Sequence, residues 1–187
     1  MTELAIAGRL LLAVIFGLAG FLKWERSDSL RPLLQHLGTS WGERVRPIAL
    51  CTSMSELVVA VFLAVGIRVE ITCIAVACLV SVFTGVMVVA LKRGYEGGCG
   101  CFGDLDTGPI STLQLCRNLV LAAVAVGTSA AVGLDPAVGA LIWRLPARAW
   151  AGCAIVVPSC LALLVLIGQI NSALSGSTGH RNSAGYF

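Results

Sequence analysis

The chain has 187 residues, of which 57% are hydrophobic and only 12% are charged, and its formal net charge is +3. Soluble globular domains are about 45–50% apolar and about 25% charged, so both values predict a membrane protein. The basic residues are spread along the sequence and form no stripe with interleaved aromatics, which excludes nucleic acid as an expected partner.

Five stretches are long and apolar enough to cross a bilayer, which takes about 20 residues of helix because lipid offers the backbone no hydrogen-bond partner. In chain order they are residues 4–22, 48–65, 69–91, 113–132 and 150–170. The first is interpreted as a retained span, since Arg9 lies inside it and no small-residue cleavage site precedes a soluble domain. The last contains Pro158, which predicts a kink.

These spans predict an all-α, polytopic membrane protein, a four-helix transmembrane bundle plus a fifth transmembrane helix. Three regions follow from them. Residues 1–133 form the four-helix membrane domain, residues 134–171 an interfacial segment and the fifth span, and residues 172–187 a polar tail. The tail is rich in Ser, Gly and Asn, a composition that predicts disorder.

The connection between the first two spans contains a short amphipathic segment. Four leucines recur there at helical spacing and form one apolar stripe: Leu30, Leu33, Leu34 and Leu37. We expect this short helix at the membrane surface or across the mouth of the bundle. An ordinary surface helix with no role in chemistry is the alternative.

The loop after the third span, in the run "GGCGCFGDLD", holds Cys99 and Cys101 with one glycine between them. The surrounding glycines give the backbone access to positive φ and leave the sulfurs uncrowded. Residues two apart can reach the roughly 4.4–6.8 Å between α-carbons that a disulfide needs. A Cys99–Cys101 disulfide would close a small ring. Strain in this ring is expected to raise the reduction potential of the disulfide and to make it exchange readily. Cys99 and Cys101 are therefore the predicted catalytic residues.

Other cysteines fall into two groups. Cys51 opens the second span and Cys116 the fourth, on the same membrane face as the CxC loop, so they are a candidate second pair in a thiol relay. The alternative is that both only pack between helices. Cys73, Cys78 and Cys160 lie within spans and are interpreted as small packing residues.

A soft metal is the rival chemistry for a CxC pair, because thiolates select Cu(I) or Zn. A closed zinc site usually needs four ligands, and no second ligand cluster accompanies this pair. His36 and His180 are isolated in the sequence. No metal ligand set is predicted, and a transient copper or mercury carrier stays the alternative.

Polar residues inside the spans point to a pocket beneath the CxC loop. Glu56 lies within the second span, and Arg117 and Asn118 lie near the start of the fourth. Intramembrane charge is costly and is usually paired or functional. We expect Glu56 and Arg117 to form an ion pair, which either only fixes helix packing or borders a pocket that holds a headgroup or moves protons. Lys23 ends the first span on this face and either joins them or extends to the interface.

Two arguments about orientation disagree. Eight basic residues lie on the CxC face and four, counting Arg9, on the other, which by the positive-inside rule predicts a cytoplasmic CxC face. Disulfides, however, persist outside the cytosol. We follow the redox argument and expect the plasma (inner) membrane, with the CxC loop on the extracytoplasmic face.

Four segments resemble the MauE branch of the DoxX-like membrane proteins: "GRLLLAVIFGLAGFLK", "SELVVAVFLAVG", "CGCFG" and "LCRNLVLA". The resemblance covers residues 5–133. It implies a four-helix bundle similar in outline to quinone-linked disulfide-forming enzymes such as vitamin K epoxide reductase, and it implies thiol–disulfide chemistry. It also implies maturation of the disulfide-rich small subunit of methylamine dehydrogenase with a thioredoxin-like partner.

On the matching positions, Cys99 and Cys101 would be the redox pair, and the polar bundle residues would be Lys23, Glu56, Arg117 and Asn118. The fifth span and polar tail depart from the family. The predicted function is a membrane thiol–disulfide oxidoreductase, or a redox accessory, that exchanges electrons between a thioredoxin-like or client protein and a membrane acceptor. A quinone is the candidate acceptor, because no other cofactor motif is present. The alternatives are a non-catalytic subunit of a larger membrane complex and the soft-metal carrier.

Overall fold

The computed structural model describes residues 2–25, 30–38, 45–99 and 110–139. These residues form five α-helices and a terminal 3-10 turn: α1 Thr2–Glu25, α2 Arg31–Leu37, α3 Val45–Val65, α4 Val69–Lys92, α5 Thr112–Leu134 and the turn Pro136–Gly139. All but α2 are long and apolar enough to cross a membrane. The all-α membrane fold is confirmed, and the first four spans begin and end within three residues of their predicted limits. The predicted fifth span, residues 150–170, and the tail lie outside the described residues.

The four long helices form a ring in the order α1, α3, α4, α5, with the tightest packing between α1 and α3 and between α4 and α5. Neighbours run antiparallel, and Gly66 and Arg68 make a tight turn between α3 and α4 at φ values of 90° and 46°. We call this the turn end of the bundle. The opposite end, where α1 and α4 end and α3 and α5 begin, is the loop end. Consequently α3 and α5 occupy opposite corners of the ring.

A single glycine sets the close approach of α1 to α3. A Cβ atom at Gly20 would lie 2.9 Å from Leu57 Cγ and 3.0 Å from the Ser53 carbonyl oxygen. Ser53 also donates a hydrogen bond across this seam to the Gly20 carbonyl. Small residues let helices in membranes pack at such short range. The seam fixes the residue one turn further along α1, which is Lys23.

The outer faces of the bundle are apolar and exposed. Large aliphatic side chains on three helices point outward, among them Val58, Val61, Ile71, Val82, Leu119 and Val120. In a bilayer, lipid tails solvate such surfaces, so their exposure is expected for an integral membrane protein in contact with lipid.

Helix α2 crosses the loop end. Its leucine stripe divides between two clusters: Leu30 and Leu34 pack with Val45 and Ala49 of α3, whereas Leu33 packs against α4 and the loop that follows it. The Arg93 guanidinium donates a hydrogen bond of 2.6 Å to the carbonyl at the end of α2. The predicted helix therefore exists, and it lies across the mouth of the bundle.

Candidate functional site

The loop that carries the first cysteine of the CxC pair begins at Gly94, the residue after the C-cap of α4. Gly94 has φ 76°, and the Tyr95 amide donates a 3.1 Å hydrogen bond back to the Ala90 carbonyl. The Ile110 amide donates to the Gly97 carbonyl at 3.1 Å, which joins the two sides of the loop at its base. A Cβ atom at Gly97 would lie 2.5 Å from the Tyr95 hydroxyl oxygen. A larger residue at position 97 would therefore require the Tyr95 ring to shift.

Cys99 is fully buried, with 0% of its surface exposed. It packs in a cluster with Leu33 of α2, Met87 and Ala90 of α4, and Ile110. The expectation of uncrowded sulfurs is therefore wrong for Cys99, because it is buried in a cluster with residues of α2 and α4. Cys101, its predicted partner, lies outside the described residues.

Tyr95 lies beside this cysteine and holds the loop. Its hydroxyl donates a 3.2 Å hydrogen bond to the Gly98 carbonyl, and its ring centroid is 5.1 Å from that of His36 on α2. Burial raises the pKa of the Tyr95 phenol above its ordinary value of 10.0, and negative charge on nearby Cys99 raises it further.

A buried ion pair joins Lys23 of α1 to Glu56 of α3. Only 1% of Lys23 and 2% of Glu56 is exposed. The Lys23 ammonium also lies 4.4 Å from the centroid of the Phe83 ring, a geometry typical of a cation–π contact. Within the described residues, the second carboxylate oxygen of Glu56 has no hydrogen-bond partner.

Two expectations about these charges are corrected. The partner of Glu56 is Lys23 and not Arg117, because Gly20 brings α1 against α3, whereas α5 presents Asn118 and not Arg117 to the cavity beside Glu56. Lys23 joins the polar pocket and does not extend to the interface. The energetic reason is that the buried carboxylate needs an opposite charge.

A cavity of about 40 Å³ lies beside the pair, lined by Lys23, Glu56, Asn118, three aliphatic side chains, Ala19 and two phenylalanines. The Asn118 amide donates weak hydrogen bonds to Thr84 Oγ1 at 3.4 Å and to Met87 Sδ at 3.6 Å. Arg117 is not among the lining residues. Since a water needs about 10–15 Å³ of such space, the cavity has room for a few waters but not for a quinone ring. A quinone, the acceptor expected from the sequence, therefore does not fit this cavity.

The loop and the cavity are connected through one methionine. Met87 packs in the cluster that contains Cys99 and accepts a hydrogen bond from Asn118, which lines the cavity next to Glu56. The sequence places Phe83, Met87 and Ala90 at helical spacing on α4, which could have indicated one face directed at the loop end. Neither Met87 nor Tyr95 is identified by the sequence argument.

The proposed second thiol pair is not brought together. Cys51 and Cys116 are both exposed, and they lie on α3 and α5, at opposite corners of the ring. Cys73 is buried, as a packing residue should be, but Cys78 is exposed. Cys160 lies outside the described residues. Among the residues that the structure describes, no three His, Cys, Asp or Glu side chains are grouped as a metal site.

Comparison with known proteins agrees with this fold. Residues 1–134 match the family described as "Methylamine utilisation protein MauE". The chain is 32% identical over 133 residues to the methylamine utilization protein MauE of Paracoccus denitrificans, which covers 71% of this chain and 70% of the relative. No solved structure matches the chain significantly. Both matches cover the four-helix domain, which carries the CxC loop and the buried polar pocket. They make the chain a member of the MauE family.

Proposed function

We propose that the chain is a membrane thiol–disulfide oxidoreductase or redox accessory that acts through Cys99 and Cys101. The observation that carries this proposal is the position of Cys99, which packs in the same cluster as Met87, the residue that contacts the pocket amide Asn118. A redox loop is thereby joined to a buried polar cavity.

The burial of Cys99 supports different roles for the two sulfurs. A client thiolate would attack Cys101 Sγ of the oxidised pair, the Cys99–Cys101 bond would break, and Cys99 would leave as the thiolate. The second client thiolate would then attack the client sulfur of the mixed disulfide and release Cys101 as a thiolate. The client gains a disulfide, and the pair gains the two electrons. Cys99, under α2, is the inner sulfur that no client needs to touch.

The pocket has a proposed role in proton handling. The second oxygen of Glu56 borders a cavity with room for water, and the first is paired with Lys23. Water there would donate a hydrogen bond to the second oxygen of Glu56. This water and the Lys23–Glu56 pair would supply the proton that neutralises the Cys99 thiolate after the disulfide opens, since an ordinary cysteine is protonated at neutral pH.

The partner in this proposal is a thioredoxin-like or client protein on the extracytoplasmic side of the plasma (inner) membrane. The name of the Paracoccus relative, a methylamine utilization protein, supports a search for the client among proteins of methylamine use. Disulfide formation outside the cytosol supports the orientation.

The test of function uses purified, oxidised protein and a reduced dithiol peptide. We expect the peptide to be oxidised in proportion to protein, and each of Cys99→Ser and Cys101→Ser to lower this rate at least tenfold. Cys51→Ser is the matched control, since Cys51 is exposed at the same end of the bundle. Unchanged rates in both single variants would overturn the proposal and favour a non-catalytic subunit.

The assigned roles are tested by mass spectrometry of mixed disulfides with glutathione. Cys99→Ser should trap glutathione on Cys101, whereas Cys101→Ser should trap little on buried Cys99. Equal trapping on both residues would overturn the division of roles.

Orientation is tested with engineered cysteines in a cysteine-free background. Glu96 lies exposed in the loop and Arg68 lies exposed in the turn at the opposite end. An impermeant maleimide applied to intact cells should label Glu96→Cys and spare Arg68→Cys. The reverse pattern would place the CxC loop in the cytosol.

A further inference from the structure

We propose that the groove between the outer faces of α4 and α5 is the docking site for the apolar segment 150–170 of the same chain. The groove is a shallow, open depression of about 670 Å³. Small side chains form much of its wall: Ala77, Cys78, Ser81, Ser129, Ala130 and Gly133. In lipid, helices associate through close van der Waals packing at such residues, whereas bulky aliphatic side chains suffice against lipid tails.

The path of the chain leads to this groove. The described part ends at Gly139, which lines a recess at the turn end together with Glu70 and Val132. Glu70 also lines the end of the α4–α5 groove. The Arg9 guanidinium, buried within α1, donates a 2.7 Å hydrogen bond to the Val138 carbonyl and fixes this exit. The chain therefore leaves the bundle beside one end of the groove.

Chain length fits the same occupant. Ten residues, 140–149, separate the exit from the apolar segment, and they reach at most about 33–36 Å. The segment itself has 21 residues, which as a helix extend about 32 Å, enough to cross the hydrocarbon layer. Starting from the turn end, it would run parallel to α4. A second copy of the chain is the competing occupant.

The register gives a specific contact. Cys78 lies nine residues after Val69, where α4 begins, and Cys160 lies ten residues after Trp150. At 1.5 Å per residue, both are about 14–15 Å from the turn end. Cys78 is exposed in the groove although it lies in the middle of a span. Docking of the segment gives it the packing partner that the described helices do not supply.

Charges at the groove rim agree with this register. Glu70 is exposed at the turn end, and Arg148 precedes the segment by two residues. Arg68 is also exposed at this rim, so the rim is not purely acidic. An exposed ion pair between Glu70 and Arg148 would contribute little energy but would favour one alignment of the segment along the groove.

The experiment uses the full chain in membranes with Cys78 and Cys160 as its only cysteines. Copper phenanthroline should oxidise the two thiols to an intramolecular disulfide in most molecules, detected as one cross-linked peptide by mass spectrometry. A Cys78/Cys153 pair is the matched control, since Cys153 lies seven residues nearer the turn end. A second control pairs Cys160 with Met54→Cys, an exposed position on α3. Both controls should cross-link at least tenfold less.

Two results would overturn the proposal. A Cys78–Cys160 disulfide between differently tagged copies would assign the groove to a second copy. Absence of the disulfide, in a variant that purifies as a single species, would mean that lipid and not the segment occupies the groove. If the variant with only two cysteines does not fold, the same cross-linked peptide is sought in the oxidised natural chain, which has all eight cysteines. Its absence there, too, would contradict the proposal. The outcome is independent of thiol–disulfide activity.

Discussion

The Lys23 ammonium of α1 and the Glu56 carboxylate of α3 form an ion pair inside the bundle, one turn from the point where Gly20 brings the two helices together. Neither group is at the surface, and the pair borders the cavity below the CxC loop. The same contact therefore fixes the α1–α3 seam and defines the electrostatics of the proposed site. The energetic contribution of the ion pair and the packing of the seam at Gly20 can be measured separately.

Removing one charge of the pair should destabilise the fold strongly. Glu56→Gln leaves the Lys23 ammonium buried without its counter-charge, and breaking such a pair costs about 3–5 kcal/mol. The double variant Lys23→Met/Glu56→Leu leaves no orphaned charge, and we expect it to recover most of the loss. Thermal unfolding in detergent measures both. If the double variant were no more stable than Glu56→Gln, uncompensated charge would not be the cause.

Packing at the seam should be sensitive to a single added methyl group. Gly20→Ala places its Cβ 3.0 Å from the Ser53 carbonyl oxygen, a backbone atom that cannot move aside, and overpacking of this kind costs about 1–3 kcal/mol. Gly85→Ala is the control, because nothing lies within 4 Å of its added Cβ. Alanine there should be neutral or stabilising by up to about 1 kcal/mol. Equal melting temperatures for the two variants would contradict the close-approach argument.

The sequence predicts the helices of this fold well because the bilayer imposes a simple rule. Lipid requires long apolar helices, so four spans are found within three residues, and the period of the α2 leucines identifies its buried stripe. These features depend on local spacing alone. Periodicity is sufficient wherever one face of an element must be buried.

Pairing between helices could not be predicted in the same way. Glu56 and Arg117 share a membrane face, but the rotation of α5 presents Asn118, and not Arg117, to the cavity beside Glu56. Likewise, nothing local to Cys99 indicates that Leu33 covers it. Depth in the membrane can be read from the sequence, whereas azimuth around the bundle cannot, because it depends on which helices become neighbours.

The titration of Tyr95, followed by absorbance, reports its electrostatic interaction with Cys99. The chain has two tyrosines, so Tyr186→Phe leaves Tyr95 as the only source of tyrosinate absorbance at alkaline pH. Because burial and then Cys99 raise its pKa above 10.0, its midpoint should lie above that of free tyrosine. Cys99→Ser should lower the midpoint, since the negative neighbour is removed.

The same shift has a consequence for stability. A phenol with a higher pKa in the folded state than in the unfolded chain contributes its full stability below pH 10, and this is lost as the pH rises through the folded midpoint. Tyr95→Phe should therefore weaken the decline of stability above pH 10 in a Tyr186→Phe background. An identical decline with and without the Tyr95 hydroxyl would rule out this linkage.

The cover that α2 places over Cys99 should control the reactivity of this thiol. Leu33 is buried in the cluster with Cys99, so Leu33→Ala opens the space above the sulfur. In a variant with Cys99 as the only cysteine, we expect alkylation by N-ethylmaleimide to be at least tenfold faster with Leu33→Ala. Gln35→Ala, at an exposed position on the same helix, should leave the rate unchanged. Because thiol reactions require both a thiolate and access, the two rates should be compared at the same pH. A Cys99 that reacts as fast as an exposed cysteine before Leu33 is changed would mean that α2 opens readily, and the inner sulfur would then be open to clients directly.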